Sequence, residues 1–167
     1  MELMNKRIAY LLGALICAAL LGFGLYLQHV EGLEPCPLCV FQRVAFIALG
    51  LVFVVAALHG PGKTGAAVYA LLGGLFALTG AGIAARHVWL QSLPPDQVPA
   101  CGPGLSYMLE QYAVTRMLEK VLSGSGECAE AGWRFLGLTI PGWSLLWFVL
   151  LGIALVWLAM RSRRSTA

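Results

Sequence analysis

Long, uninterrupted apolar runs dominate the chain. Residues 8–27 give twenty successive positions without a charge, residues 66–85 give twenty more, and residues 143–160 give eighteen. A spanning helix needs roughly 20 apolar residues and tolerates about 17, so each run predicts a transmembrane helix. Residues 44–58 supply only fifteen, or roughly 22 Å of helix against a hydrocarbon core near 30 Å. To cross, that helix must recruit positions from about residue 40, which sets Gln42 and Arg43 at the membrane boundary. No run alternates apolar and polar positions as barrel strands do. The pattern predicts an all-α integral membrane protein. Its architecture is a four-transmembrane-helix bundle, with spans near 8–27, 40–58, 66–85 and 143–160 in a single membrane domain over residues 1–167. The first run reads as a retained span: it is too long for the apolar core of a signal peptide, and no A-x-A-like cleavage site follows it.

Composition supports this picture. Hydrophobic residues make up 59% and charged ones 11%, against roughly 45–50% and about 25% in soluble domains. Such a chain has too little polar surface to cover itself in water. The net charge of +3 is small, and no basic tract carries interleaved aromatics, which excludes nucleic acid as a partner. Placement of the charge says more than its size. Lys6, Arg7, Lys63, Arg161, Arg163 and Arg164 all fall on one side of a four-span chain. By the positive-inside rule that side is the cytoplasm, with both termini in it. The opposite side receives a short loop, about 28–39, and a long one, about 86–142.

The long loop has its own pattern. Pro94, Pro95 and Pro99 favour extended backbone over residues 93–103. Beyond Gly104, apolar positions fall on two helix faces about half a turn apart, which predicts short, kinked interfacial helices over residues 105–122. Glycines within 123–127 end them flexibly. Glycine-containing runs in the third span, residues 71–74 and 80–82, read as small-residue contacts between membrane helices.

Five cysteines are present. Cys17 lies mid-span among apolar residues and reads as a packing residue. Cys36 and Cys39 form a C-x-x-C in the short outer loop, while Cys101 and Cys128 lie in the long one. All four fall on the oxidising side of the membrane. Cys39 sits at the start of the second span, where free amides and the helix dipole favour an anion. Arg43 is one turn further along the same face. Together they favour a reactive thiolate over a structural sulfur. Cys101 and Cys128 lie beside proline- and glycine-rich segments, in backbone expected to be mobile. A bridge between them would close over 26 residues and could instead be a loop staple, worth about 2–4 kcal/mol. A structural four-thiolate zinc site is the other alternative. The second pair has neither C-x-x-C spacing nor a histidine at ligand spacing, so no metal is expected. His87, at the outer end of the third span, is either a polar boundary residue or a hydrogen-bond and proton route. His29 and His59 read as boundary residues, and Tyr26, Trp89, Trp133 and Trp143 as an aromatic belt.

Several motifs together resemble the bacterial disulfide bond formation protein B (DsbB) family, over nearly the whole chain. They are Cys36-Pro37-Leu38-Cys39 followed by Gln42-Arg43, and Arg86-His87 running into Leu90-Gln91. Glu127-Cys128-Ala129-Glu130 then leads through Trp133, Phe135-Leu136-Gly137-Leu138 and Pro141 to Trp143. The resemblance implies a thiol:quinone oxidoreductase of the bacterial inner membrane that reoxidises a DsbA-like periplasmic thiol oxidase. It implies that Cys101 forms the mixed disulfide with that partner and that Cys128 resolves it. Electrons would then pass to Cys36–Cys39 through a transient Cys36–Cys128 bond. Cys39 would meet the quinone, ubiquinone or menaquinone from the membrane pool, with Arg43 and His87 as quinone-site residues. Cys17 is additional to the family pattern, and the stretch between Cys101 and Cys128 departs from it.

Bottom-up, the same demands arise. A relay of thiol–disulfide exchanges needs a fixed pair, a moving pair and an acceptor. A lipid-soluble acceptor reaches a bilayer-edge thiol without the phosphate-binding turn that a nucleotide would require. Two alternatives stay open on sequence alone. One is a quinone-linked disulfide generator of the vitamin K epoxide reductase type, whose C-x-x-C characteristically lies near the last helices. The other is a membrane scaffold stiffened by its outer disulfides. The orientation is directly testable. A tag after the last residue should be reached by protease from the cytoplasmic face alone, and a tag accessible only from outside would reverse the topology.

Overall fold

The computed structural model describes residues 2–98, 126–129 and 133–164. Among these, four helices are long and apolar enough to cross a membrane. They are α1 (Glu2–His29), α2 (Pro37–His59), α3 (Lys63–Gln91) and α5 (Ile140–Arg164), with a single-turn helix, α4 (Gly126–Ala129), ahead of the last. A two-residue-per-strand hairpin, β1 (Arg134–Phe135) against β2 (Leu138–Thr139), leads directly into α5. Its turn places Leu136 and Gly137 at positive φ, 51° and 83°, as a tight two-residue hairpin turn requires.

Each helix overruns the charge-free run that predicts it. Backbone hydrogen bonding continues wherever the side chains tolerate it, so a charge marks the membrane edge without ending the helix. Thus α3 runs to Gln91 and carries Arg86 within it, the guanidinium lying 4.1 Å from the Trp89 ring. The start of α2 moves outward to Pro37 for a local reason. Proline's fixed φ suits a first helical position, and the Cys36 sulfur accepts the Cys39 N–H at 3.4 Å as an N-cap. The 23 residues of α2 reach roughly 34 Å, enough to cross. At the other end, Gly60 takes a left-handed conformation and its N–H returns to the Ala56 carbonyl at 3.0 Å, closing the helix as glycine caps do.

Packing is sequential: α1 lies on α2, α2 on α3 and α3 on α5, while α2 and α5 touch only lightly. Two glycines of α3 make the closest approach possible. A Cβ at Gly80 would lie 2.4 Å from the Phe148 ring, and one at Gly73 would lie 2.3 Å from Leu155. Phe148 also stacks on Phe46 of α2, with centroids 3.9 Å apart, so one buried ring joins α2, α3 and α5. The expectation of small-residue helix contacts is met at Gly73 and Gly80, whereas a Cβ at Gly74 or Gly82 would meet nothing within 4 Å. Cys17 is buried in the same core, beside Gly50, where an added Cβ would stand 3.2 Å from the Cys17 Cβ. Only 17% to 33% of the most apolar stretch of each span is buried within the protein. The remainder faces outward as leucine, valine and isoleucine, which fits a lipid surround. The chain is a multi-pass membrane protein.

The long loop is described in part. Residues 93–103 were expected to be extended, and Pro94 and Val98 are. Between them Pro95–Gln97 makes one 3₁₀ turn, closed by the Gln97 N–H donating to the Pro94 carbonyl at 2.9 Å. Proline at the first position of that turn sets the φ it needs. The interfacial helices expected over 105–122, and Cys101 itself, lie outside the described residues.

Replacing Gly80 by leucine should destabilise the bundle by about 1–3 kcal/mol, the usual cost of overpacking. Denaturant unfolding in detergent measures it. An unchanged midpoint would mean that Phe148 does not sit against this backbone.

Candidate functional site

The site is built on the first turn of α2. Cys36 caps the helix and Cys39 is its third residue, so both sulfurs face the same way, 3.2 Å apart. This spacing allows the pair to form a disulfide with little backbone movement. The next residues on that face complete the arrangement. Gln42 follows Cys39 by one turn and Arg43 lies beside it, where the sequence places them.

The last turns of α3 bring His87 to the same point. It is only 2% exposed. Its Nε2 lies 3.7 Å from the Cys36 sulfur, and its Nδ1 lies 4.0 Å from the Cys39 sulfur. The Gln42 side-chain amide stands 3.1 Å from Nδ1. An amide offers both a donor and an acceptor, so it can serve either tautomer of the ring. Of the two readings the sequence leaves for His87, a polar boundary residue or a hydrogen-bonding site residue, its burial beside both sulfurs fits the second, although it does not line the large cavity beside Cys39. Gln42 is the functional candidate that sequence reasoning passed over. Its signal was present: a lone amide in an apolar helix, one turn after the second cysteine.

Cys128 corrects a second expectation. Its glycine-rich approach suggests mobile, accessible backbone, yet in α4 the side chain is 1% exposed. It packs with Cys36, Leu38 and Leu90, and nothing local in the sequence marks that burial, because α2 and α3 supply it. The ligand atoms of Cys36, His87 and Cys128 all lie within 4.8 Å of one another. The structure thus brings together Cys36, Cys39, His87 and Cys128, three sulfurs and an imidazole from three separate helices. Sequence spacing offered no histidine partner for the second pair, and α3 provides one.

Arg43 points to the other side of the pair. Its guanidinium donates to the Gly24 carbonyl at 2.9 Å and to the Gln28 side-chain oxygen. Both acceptors are on α1, so the charge is held between two helices instead of reaching outward to headgroups. There it borders a cavity of about 450 Å³ enclosed by α1, α2, the hairpin and the start of α5. The walls are mostly apolar and include Leu20, Phe46 and Trp147, while Cys39, Gln42 and Arg43 stand together along one side. Trp133 and Phe135 stack at 5.8 Å, Trp133 meets Phe23 edge-on at 5.5 Å, and the Trp143 N–H donates to the Phe135 carbonyl at 3.1 Å. Trp133 and Trp143, expected in an aromatic belt, are instead part of this wall. The volume suits a substituted aromatic ring, and an apolar pocket with a few placed polar groups is the usual form of such sites.

Comparison with known proteins is decisive here. The family model described as "Disulfide bond formation protein DsbB" matches residues 6–158. The chain belongs to the DsbB family. Among curated relatives, "Disulfide bond formation protein B" of Nitrosococcus oceani is 59% identical over 139 residues, covering 83% of this chain and 82% of the relative. The protein of that name from Hahella chejuensis is 58% identical over 139 residues, covering 83% and 84%. That of Methylococcus capsulatus is 53% identical over 141 residues, covering 84% and 86%. Family membership makes the chain a disulfide-generating oxidoreductase with a redox-active centre. The scaffold alternative and the vitamin K epoxide reductase type both give way to it.

The Gln42–His87 contact is testable through stability. Replacing Gln42 by leucine leaves a buried imidazole nitrogen without its partner, which should cost about 1–3 kcal/mol. Thermal or denaturant unfolding of the purified protein reads this, and glutamate at the same position should recover part of the loss. No loss with leucine would show that the two side chains are not paired.

Proposed function

We propose that this chain is a thiol:quinone oxidoreductase. It reoxidises a DsbA-like periplasmic dithiol oxidase and delivers the electrons to a membrane quinone, so that disulfides are generated de novo. The observation that carries this reading is the position of Cys39, which shares one helix turn with a partner sulfur on one side and an apolar, arginine-bordered cavity on the other. The protein would lie in the bacterial inner membrane with both termini cytoplasmic and the cysteine-bearing loops periplasmic.

The exchange scheme rests on Cys36 lying with Cys39 and with Cys128, and takes the Cys101–Cys128 pair from the family resemblance. A thiolate of the reduced partner attacks Cys101 of a Cys101–Cys128 disulfide, and Cys128 leaves as thiolate. Cys128, packed against Cys36, attacks that sulfur of the Cys36–Cys39 disulfide, and Cys39 leaves. The second partner thiol attacks the mixed disulfide at the partner's own sulfur, which frees an oxidised partner and a Cys101 thiol. Cys101 then attacks Cys128 of the Cys36–Cys128 bond, and Cys36 leaves as a thiolate that bonds to Cys39 again as the electron pair on Cys39 is passed on. The net result is two partner thiols converted to one disulfide, with two electrons and two protons given up. A bound quinone supplies the two-electron, two-proton acceptor.

The other residues have defined tasks in this scheme. Arg43, fixed by Gly24 and Gln28, places a positive charge where negative charge develops on reduction, which is the most effective use of a preorganised cation in an apolar site. His87 touches both sulfurs of the pair and can take or return a proton at Nε2 beside Cys36. Gln42 holds that ring in place. The apolar walls and the aromatic cover exclude water from Cys39.

Anaerobic mixing of the protein in nanodiscs with a reduced DsbA-type partner and a soluble ubiquinone analogue tests the reading. Quinone absorbance should fall in proportion to the disulfide formed, and the Cys39→Ser variant should abolish the loss. Reduced partner left unoxidised by the parent protein would overturn the reading. Removing one charge-assisted contact costs about 1.5–3 kcal/mol, so Arg43→Ala should raise the quinone KM roughly 10- to 100-fold. Exchange between the partner and Cys101–Cys128 should persist in that variant. Unchanged quinone kinetics would remove Arg43 from the site.

A further inference from the structure

The face of the thiol pair that is turned from the large cavity has the chemistry of a soft-metal site. We propose that the fully reduced protein binds one Zn²⁺ ion between Cys36, Cys128 and His87, with Cys39 beside the fourth position, and that the bound ion holds the protein in an inactive state. The inactive state rests on the reading that these cysteines pass through a dithiol form during turnover. The binding site itself rests on geometry alone.

Five observations carry it. The three ligand atoms converge within 4.8 Å from three different helices. Tetrahedral zinc, with Zn–S near 2.3 Å and Zn–N near 2.0–2.1 Å, spaces its ligand atoms by roughly 3.4–3.9 Å, and the Cys36 sulfur lies 3.7 Å from Nε2 of His87. All three residues are buried, at 8%, 1% and 2% exposure, so an ion there would exchange its ligands slowly with water. The ring nitrogen away from Cys36 faces the Gln42 amide nitrogen at 3.1 Å, and turning that amide over presents its oxygen to an Nδ1–H. Metal-bound histidines commonly give their second nitrogen such a partner, which fixes the tautomer and the ring plane. Beside the cluster is a second, smaller cavity of about 100 Å³, lined by Cys36, Cys39, His87 and Gln91 among others. That is ample for an ion and one or two waters.

Redox state would gate the site. With Cys36 joined to Cys39, one ligand is a disulfide sulfur and binding is lost. Reduction restores three thiols in the described cluster, and zinc binding then displaces the proton of each thiol that becomes a ligand. No electron moves in this step. A thiolate bound to zinc is no longer free to attack a disulfide or to pass its electron pair into the cavity. Periplasmic zinc would therefore trap the enzyme in its reduced form whenever the acceptor is scarce.

Purified full-length protein in nanodiscs, once oxidised and once reduced with a non-thiol phosphine, is titrated with Zn²⁺ and desalted, and bound metal is measured by mass spectrometry. Cd²⁺ in a parallel titration reports thiolate ligation through its ultraviolet charge-transfer band. The expected result is one ion per reduced chain and none per oxidised chain. Cys101→Ser should retain the ion, whereas Cys128→Ser and His87→Ala should weaken binding at least roughly tenfold. The proposal is overturned if oxidised and reduced protein bind equally, if neither binds, or if both ligand variants bind like the parent. The oxidised-against-reduced comparison needs no substitution, so misfolding of a variant does not decide the outcome. Zinc-loaded reduced protein should leave a quinone analogue unreduced until a chelator is added. Reduced protein that binds no zinc but reduces the quinone would sink the metal site and leave the oxidoreductase reading standing. Protein that binds zinc but never reduces a quinone would do the reverse.

Discussion

The structure depends on how α2 begins. Cys36 ends the short loop between α1 and α2 as an N-cap whose sulfur accepts the Cys39 amide, and Pro37 sets the first helical φ. One interaction thereby fixes where the helix enters the membrane, which way both sulfurs point, and which side chains follow on the same face. A serine in place of Cys36 would cap as well, so the cap alone does not require sulfur. What sulfur adds is chemistry at a place where the backbone is already fixed by a helix that α1 and α3 clamp.

The bundle's packing then decides what surrounds that helix start. The close contacts of α3 with α5, made through Gly73 and Gly80, draw the last span towards the third. Phe148 reaches past α3 to Phe46. With α5 committed to α3, the end of α1 and the start of α5 leave space beside α2, and the aromatic hairpin covers it. The same close packing carries the end of α3 alongside the start of α2, so that His87 meets the cysteines. A cavity on one side of Cys39 and a thiol–imidazole cluster on the other thus share a single cause.

Much of this was legible in the sequence. Four apolar runs gave four spans, because a bilayer demands length and apolarity and leaves few alternatives. The C-x-x-C, with Arg43 one turn on, gave the core of the site, because a helix start and a fixed i, i+4 spacing are local properties. What stayed hidden was tertiary. The two readings of His87 stay balanced until α3 extends past Arg86 to Gln91 and turns that face inward. Cys128 is seen as mobile until Leu38 and Leu90 bury it. Gln42 acquires a purpose only when His87 stands 3.1 Å away. The tryptophans either side of the hairpin could be placed at the membrane surface from sequence, but their place in the cavity wall appears only with the fold.

The account stands or falls on whether the sulfur that caps α2 is the meeting point for the outer-loop sulfur. A variant retaining only Cys36 and Cys128, with Cys17, Cys39 and Cys101 replaced, is treated with diamide in membranes. Its disulfide is then scored by thiol alkylation and non-reducing electrophoresis. The account predicts a rapid, near-complete bond within one chain. If Cys36 and Cys128 stay separately alkylatable while a Cys36–Cys39 control is fully oxidised, the two sulfurs do not meet and the relay as described is wrong.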